Sequence, residues 1–265
     1  MNSSDNAPVM VPEVDITAEL LPRHVVALDT IRELGKRYGP GRWVLVGGMM
    51  VMILGREYHT RAQRAEGTKD ADILIDIVTN PNLLDDLTNF LGTLGYRLQD
   101  SFGEGDRLAR CSFEYYSAQI DVLCPDDTPD DQLVVAHRNV ASIAIPGGRR
   151  AFETARQISL YYADDRPNAE VYIPTLAGAI AVKTAAAVDA RTAASPRHLQ
   201  DVAFLLTIEA DPDETRAGLT DADIDLLRQI EQQVTDPRRP MWLQLDAGQR
   251  QAAQATYELL TFPAE

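Results

Sequence analysis

Apolar positions along the chain fall into two regimes. Between residues 12 and 174, short apolar runs alternate with polar and glycine-containing breaks. After Pro174 the pattern turns to long alanine- and leucine-rich stretches at helical spacing. In the first regime, Leu20, Val25, Leu28, Ile31 and Leu34 predict a helix within about Ile16 to Tyr38, with Pro22 near its first turn and Gly39-Pro-Gly41 ending it. The run Trp43 to Val46 reads as a strand, Gly47-Gly48 as a tight turn, and MMVMILG as a buried helix. Ala71 to Val78 is a strand rich in β-branched residues. Asn82 to about Leu94 is a helix stopped by Gly95. Strands are expected at Arg107 to Tyr116, Ala118 to Leu123, Ser142 to Ile145, Gln157 to Tyr161 and Glu170 to Ile173.

In the second regime, helices are expected over Leu176 to Ala190, His198 to Ile208, Asp221 to Val234 and Gly248 to Leu260. The pattern predicts an α+β chain: a mixed N-terminal sheet with flanking helices, then a C-terminal helical bundle. Residues 1–11 read as a disordered tail, 12–174 as a catalytic domain, and 175–265 as a helical domain that completes its site.

Chemistry-bearing residues sit on the predicted strands. Asp70 and Asp72 are two apart where a strand begins, so they share one face. Side by side, two carboxylates repel and each resists ionisation. A hard divalent cation such as Mg²⁺ or Mn²⁺ removes that conflict. Asp121 is a lone acid in the apolar run Ala118 to Cys124, and a charge there needs a partner or a metal. If the two strands are neighbours, three carboxylates converge. Such a triad suits phosphoryl transfer through two metal ions. Asp70 and Asp72 would bridge both ions, and Asp121 would hold the ion on the acceptor side. Asp76 shares the strand parity but lies too far along, so it reads as a strand-end acid. Gly47-Gly48, before a helix, permits close approach of a phosphate to backbone N–H groups; a ligand-free tight turn explains the same glycines.

Taken together, VLVGGMM (44–50), TKDADILID (68–76) and QIDVLCP (119–125) resemble the nucleotidyltransferase superfamily pattern, and in particular the AbiEii/AbiGii family of toxins, with the MenT-like toxins of type IV toxin–antitoxin systems. The resemblance spans roughly Arg42 to Leu206. The gap from Gly48 to Asp70 is longer than the superfamily pattern, which makes residues 56–67 an insertion lining the site. The resemblance implies a nucleoside triphosphate donor and catalytic roles for Asp70, Asp72 and Asp121. It also implies a phosphate-binding role for Lys183 and an orienting role for Asp201. Without it, Lys183 is a lysine snorkelling out of an apolar helix. The family's Lys-Asp is replaced here by Arg197-His198, and His198 reads as a surface residue near a helix start. Thr68 occupies the place of a regulatory phosphorylation site found in some relatives, where phosphate beside two carboxylates would disturb metal binding.

The implied acceptor is the 3′ end of tRNA, and the implied partner is a cognate antitoxin. Arg56, Arg61, Arg64, Lys69 and Arg191, with Arg149 and Arg150, are cations available to hold RNA phosphates; arginines on a solvated loop look the same. The net charge of −15 argues against a surface that grips nucleic acid throughout, and suits a cationic small-molecule or protein acceptor. A non-catalytic nucleotide-binding partner is the third possibility, although all three acids and Lys183 are retained. An apolar content of 45% allows a sizeable core. Two cysteines, a polar N-terminus and the lack of any long apolar run point to a cytoplasmic protein with no membrane association.

Overall fold

In the computed structural model of the chain, the residues described are 11–60, 70–99, 111–129, 134–135, 140–189 and 196–262. The protein is α+β. Its first half contains strands β1 (Glu13–Asp15), β2 (Trp43–Val46), β3 (Ala71–Ile75), β4 (Arg97–Leu98), β5 (Cys111–Tyr115) and β6 (Ala118–Pro125). The helices among them are α1 (Pro22–Arg37), α2 (Gly47–Glu57) and α3 (Leu83–Thr93). Next come β7 (Val134–Val135), β8 (Val140–Ala141), β9 (Ile143–Ile145), α4 (Gly148–Glu153), β10 (Ala155–Tyr161) and β11 (Ala169–Pro174). The remaining helices are α5 (Leu176–Val188), α6 (Pro196–Leu206), α7 (Pro212–Ala217), α8 (Asp221–Gln229), α9 (Glu231–Thr235) and α10 (Ala247–Thr261).

Among the described residues the main sheet runs β2-β3-β6-β5-β4, with β9 paired to the far end of β6. β2 and β3 are antiparallel, β3 and β6 parallel, and β6 and β5 an antiparallel hairpin. A smaller sheet, β1-β10-β11, packs beside β2, where the Trp43 and Tyr172 rings meet edge-on at 5.7 Å.

Strand pairing fixes the faces of the main sheet. Trp43, Ile73 and Ile75 face α1 and α3, where they pack with Leu34, Leu83 and Leu87. Val44, Val46 and Leu74 point the other way and pack with Ala151 of α4 and Val182 of α5. Helix α5 therefore lies on the second face. The principal apolar core runs unbroken across Pro174, from Val14 to Leu260.

Several element boundaries differ from those expected. α1 begins at Pro22, and Thr17–Glu19 form a separate 3₁₀ turn. The residue before a proline is pushed out of the helical region, and Leu21 is extended at φ −93°, ψ 159°. β3 stops at Ile75, because Asp76 turns its carboxylate back to accept from the N–H groups of Val78 and Thr79. The helix expected from Asp221 to Val234 is two, α8 and α9, divided at the buried Ile230. No helix among the described residues is long and apolar enough to cross a membrane.

Candidate active site

Register brings the acids together. Asp72 on β3 lies directly opposite Asp121 on the adjacent parallel strand β6, and Val46 lies opposite Asp72 on its other side. Asp70 precedes Asp72 by two residues. One carboxylate oxygen from each of Asp70, Asp72 and Asp121 lies within 4.8 Å of the others. Asp121 is buried, while Asp70 and Asp72 are partly exposed, so the cluster is rooted in the sheet and open on one side. The same sheet face carries Val46 and Leu74, over which Val182 of α5 packs.

The glycine pair forms no turn between strand and helix: α2 starts at Gly47 itself, directly after β2. Gly47 has φ +67°, a conformation that side-chain-bearing residues seldom adopt. A Cβ at this position would lie 1.7 Å from Oδ2 of Asp72. The Asp72 carboxylate thus rests against the first residue of α2, where the helix dipole favours negative charge. Gly47→Ala is expected to displace Asp72 and strain the backbone together. The outcome should be loss of turnover and a clearly lowered melting temperature, read by activity and thermal melts of the same preparation.

Ser112 and Gln119, neither singled out from the sequence, both donate to Asp121. Ser112 Oγ is 2.5 Å and Gln119 Nε2 2.9 Å from Asp121 Oδ1. Gln119 was legible in principle, since it precedes Asp121 by two and shares its face. Ser112 was not, because only the β5–β6 register sets it opposite Asp121.

Lys183 and Asp201 form a buried ion pair between α5 and α6, with Nζ 2.8 Å from Oδ2 and side chains 7% and 5% exposed. Lys183 is the only charged residue of α5 and does not snorkel out of it. His198 lies one helical turn before Asp201. It is half-buried rather than exposed, and its Nδ1 is enclosed with no hydrogen-bond partner among the described residues. Burial, and then the nearby Lys183 charge, push its pKa below the ordinary histidine value.

Of the cations proposed to hold an acceptor, Arg56, Arg149 and Arg150 are among the described residues. Arg56 sits nine residues along α2 from Gly47, about 13 Å by helical rise. There its charge acts on Asp15, whose carboxyl is held low first by hydrogen bonds from Thr17. Arg149 is engaged by Asp76 at 3.1 Å and Asp127 at 2.8 Å, and Arg150 by Asp223 at 2.8 Å. Asp76 is therefore a structural acid. Burial works to raise its pKa, but Arg149 and the Thr79 N–H outweigh that and hold it low. Arg61, Arg64, Thr68, Lys69 and Arg191 lie outside the described residues. Cys124 is a buried free thiol whose pKa burial pushes up to about 11, which leaves it unreactive.

No family model matches the chain, and no curated protein matches it. Among solved structures, the chain is similar to the CD-NTase CdnG of Bradyrhizobium diazoefficiens in complex with GTP. The two are 14% identical over 94% of this chain and 85% of that one, with a TM-score of 0.27. A superposition that loose carries no weight for the chemistry of this chain, which stands on its own carboxylates.

Proposed function

We propose that the protein is a divalent-metal-dependent nucleotidyltransferase that moves a nucleoside monophosphate from a nucleoside triphosphate to an acceptor hydroxyl. The observation that carries this reading is the convergence of Asp70, Asp72 and Asp121 within 4.8 Å at the N-terminal end of α2. The donor set fits a hard cation. Oxygens about 2.1 Å from a shared Mg²⁺ stand at most about 4.2 Å apart, so the carboxylates need close by only a fraction of an ångström. Two ions held there would neutralise the triphosphate and lower the pKa of the attacking hydroxyl.

The remaining work falls to the chain. Asp70 and Asp72 would serve both ions, and the buried Asp121 would hold the one on the acceptor side. The α2 N-terminus, opened by Gly47 and Gly48, presents backbone N–H groups to phosphate. Lys183, fixed by Asp201 on a helix over the same sheet face, contributes positive charge for the triphosphate, and residues 175–265 complete the site.

For the acceptor, the resemblance of 44–50, 68–76 and 119–125 to the AbiEii/AbiGii toxins favours the 3′ end of tRNA. That would make the protein the toxin of a toxin–antitoxin pair, with Thr68 its regulatory residue. The net charge of −15, and the engagement of Arg149 and Arg150 by acids, favour instead a cationic small molecule or a protein side chain. Incubation with each α-labelled triphosphate and, separately, total tRNA, aminoglycosides and purified proteins decides between them. Label on tRNA that EDTA prevents is the expected result. Label on an aminoglycoside or protein alone would overturn the tRNA assignment and keep the chemistry. Absence of transfer to every acceptor would overturn the enzymatic reading and leave a nucleotide-binding protein.

A further inference from the structure

We propose that Ser112 and Gln119 are positioning residues that occupy one oxygen of Asp121 and thereby make the other, Oδ2, its single ligand atom for a divalent cation. This rests on the metal-site reading above. Both donors converge on Oδ1, from Ser112 Oγ at 2.5 Å and Gln119 Nε2 at 2.9 Å. A carboxylate oxygen offers two lone-pair sites, and two donors fill them. Bidentate ligation by Asp121 is then closed. The 2.5 Å contact from Ser112 is a short hydrogen bond to the carboxylate oxygen.

The arrangement comes from two different sources. Gln119 reaches Asp121 along its own strand, two residues earlier on the same face. Ser112 reaches it across the hairpin, directly opposite in the β5–β6 register, and is itself 4% exposed. With both in place, the carboxylate plane cannot rotate without breaking one of two hydrogen bonds. Fixed outer partners of this kind tune metal affinity as well as ligand geometry.

The test is Mn²⁺ binding, followed by electron paramagnetic resonance of the free ion, on the full-length wild type and on Ser112→Ala, Ser112→Thr, Gln119→Leu and Asp72→Ala. Thermal melts confirm that each variant folds. The proposal expects Ser112→Ala to weaken Mn²⁺ binding by about 10- to 100-fold, with Ser112→Thr, which keeps the hydroxyl, recovering most of the loss. Gln119→Leu should weaken binding in the same direction, and it carries the test if Ser112→Ala fails to fold. Mn²⁺ affinity equal to wild type in Ser112→Ala and Gln119→Leu, with Asp72→Ala still defective, would overturn this proposal and leave the site reading intact. Failure of the wild type itself to bind Mn²⁺ would overturn both.

Discussion

Asp72→Ala is expected to lower nucleotidyl transfer by at least about 10³-fold, or ~4 kcal/mol of transition-state stabilisation, without unfolding the protein. Asp72 is the acid at the centre of the cluster, two residues from Asp70 and opposite Asp121. In EDTA its removal takes away a like charge beside Asp70 and Asp121 but also the carboxylate's contact at the start of α2, so the two effects offset and the variant should melt close to wild type. In Mg²⁺ the two should separate. The wild type gains stability from an ion bound only by the folded state, and the variant gains little. Melting curves in EDTA and in Mg²⁺, measured beside turnover, check both parts. Wild-type transfer by the variant would remove Asp72 from the site.

The second large effect concerns Lys183 and Asp201. Removing either partner leaves the other charged and buried, a loss of about 3–5 kcal/mol. For a chain of this size that is a fall in melting temperature of about 6–20 °C. Lys183→Met combined with Asp201→Leu should recover most of the stability, because an apolar pair of similar volume suits the interior at least as well as an ion pair. Activity should not recover with it if Lys183 also serves the triphosphate. Thermal melts and turnover of the two single variants and the double variant separate the roles. Single variants as stable as wild type would show that the pair is not held as tightly as its 2.8 Å contact indicates.

How far these features could be read from sequence depended on the range of the interaction. β2 is legible because Trp43 to Val46 is an unbroken apolar run between glycines, and it spans those residues in the structure. The shared face of Asp70 and Asp72 follows from strand periodicity alone. The convergence with Asp121 does not. It needs β3 to pair in parallel with β6, past α3, β4 and β5, and nothing local announces that strand order. The same holds for Ser112, whose role rests on a register.

Short elements also escaped the reading. β1 has three residues, while α4 and α7 have six each, too few for a periodic signal. The glycine pair was recognised, but its conformation was misjudged. The pattern of a strand, two glycines and an apolar run does not tell a turn from a helix that begins on the first glycine. Arginines are the other case where the local pattern leaves two readings open. Arg149 and Arg150 looked available for phosphate, yet each is engaged by acids far along the chain, Asp76 and Asp223.

Diffraction from crystals soaked with Mn²⁺ and a non-hydrolysable nucleoside triphosphate, recorded for the anomalous signal of manganese, tests the account most directly. It should place peaks bounded by carboxylate oxygens of Asp70, Asp72 and Asp121, with the triphosphate against the first turn of α2. Manganese bound elsewhere, or a triphosphate lying away from these three acids, would contradict it.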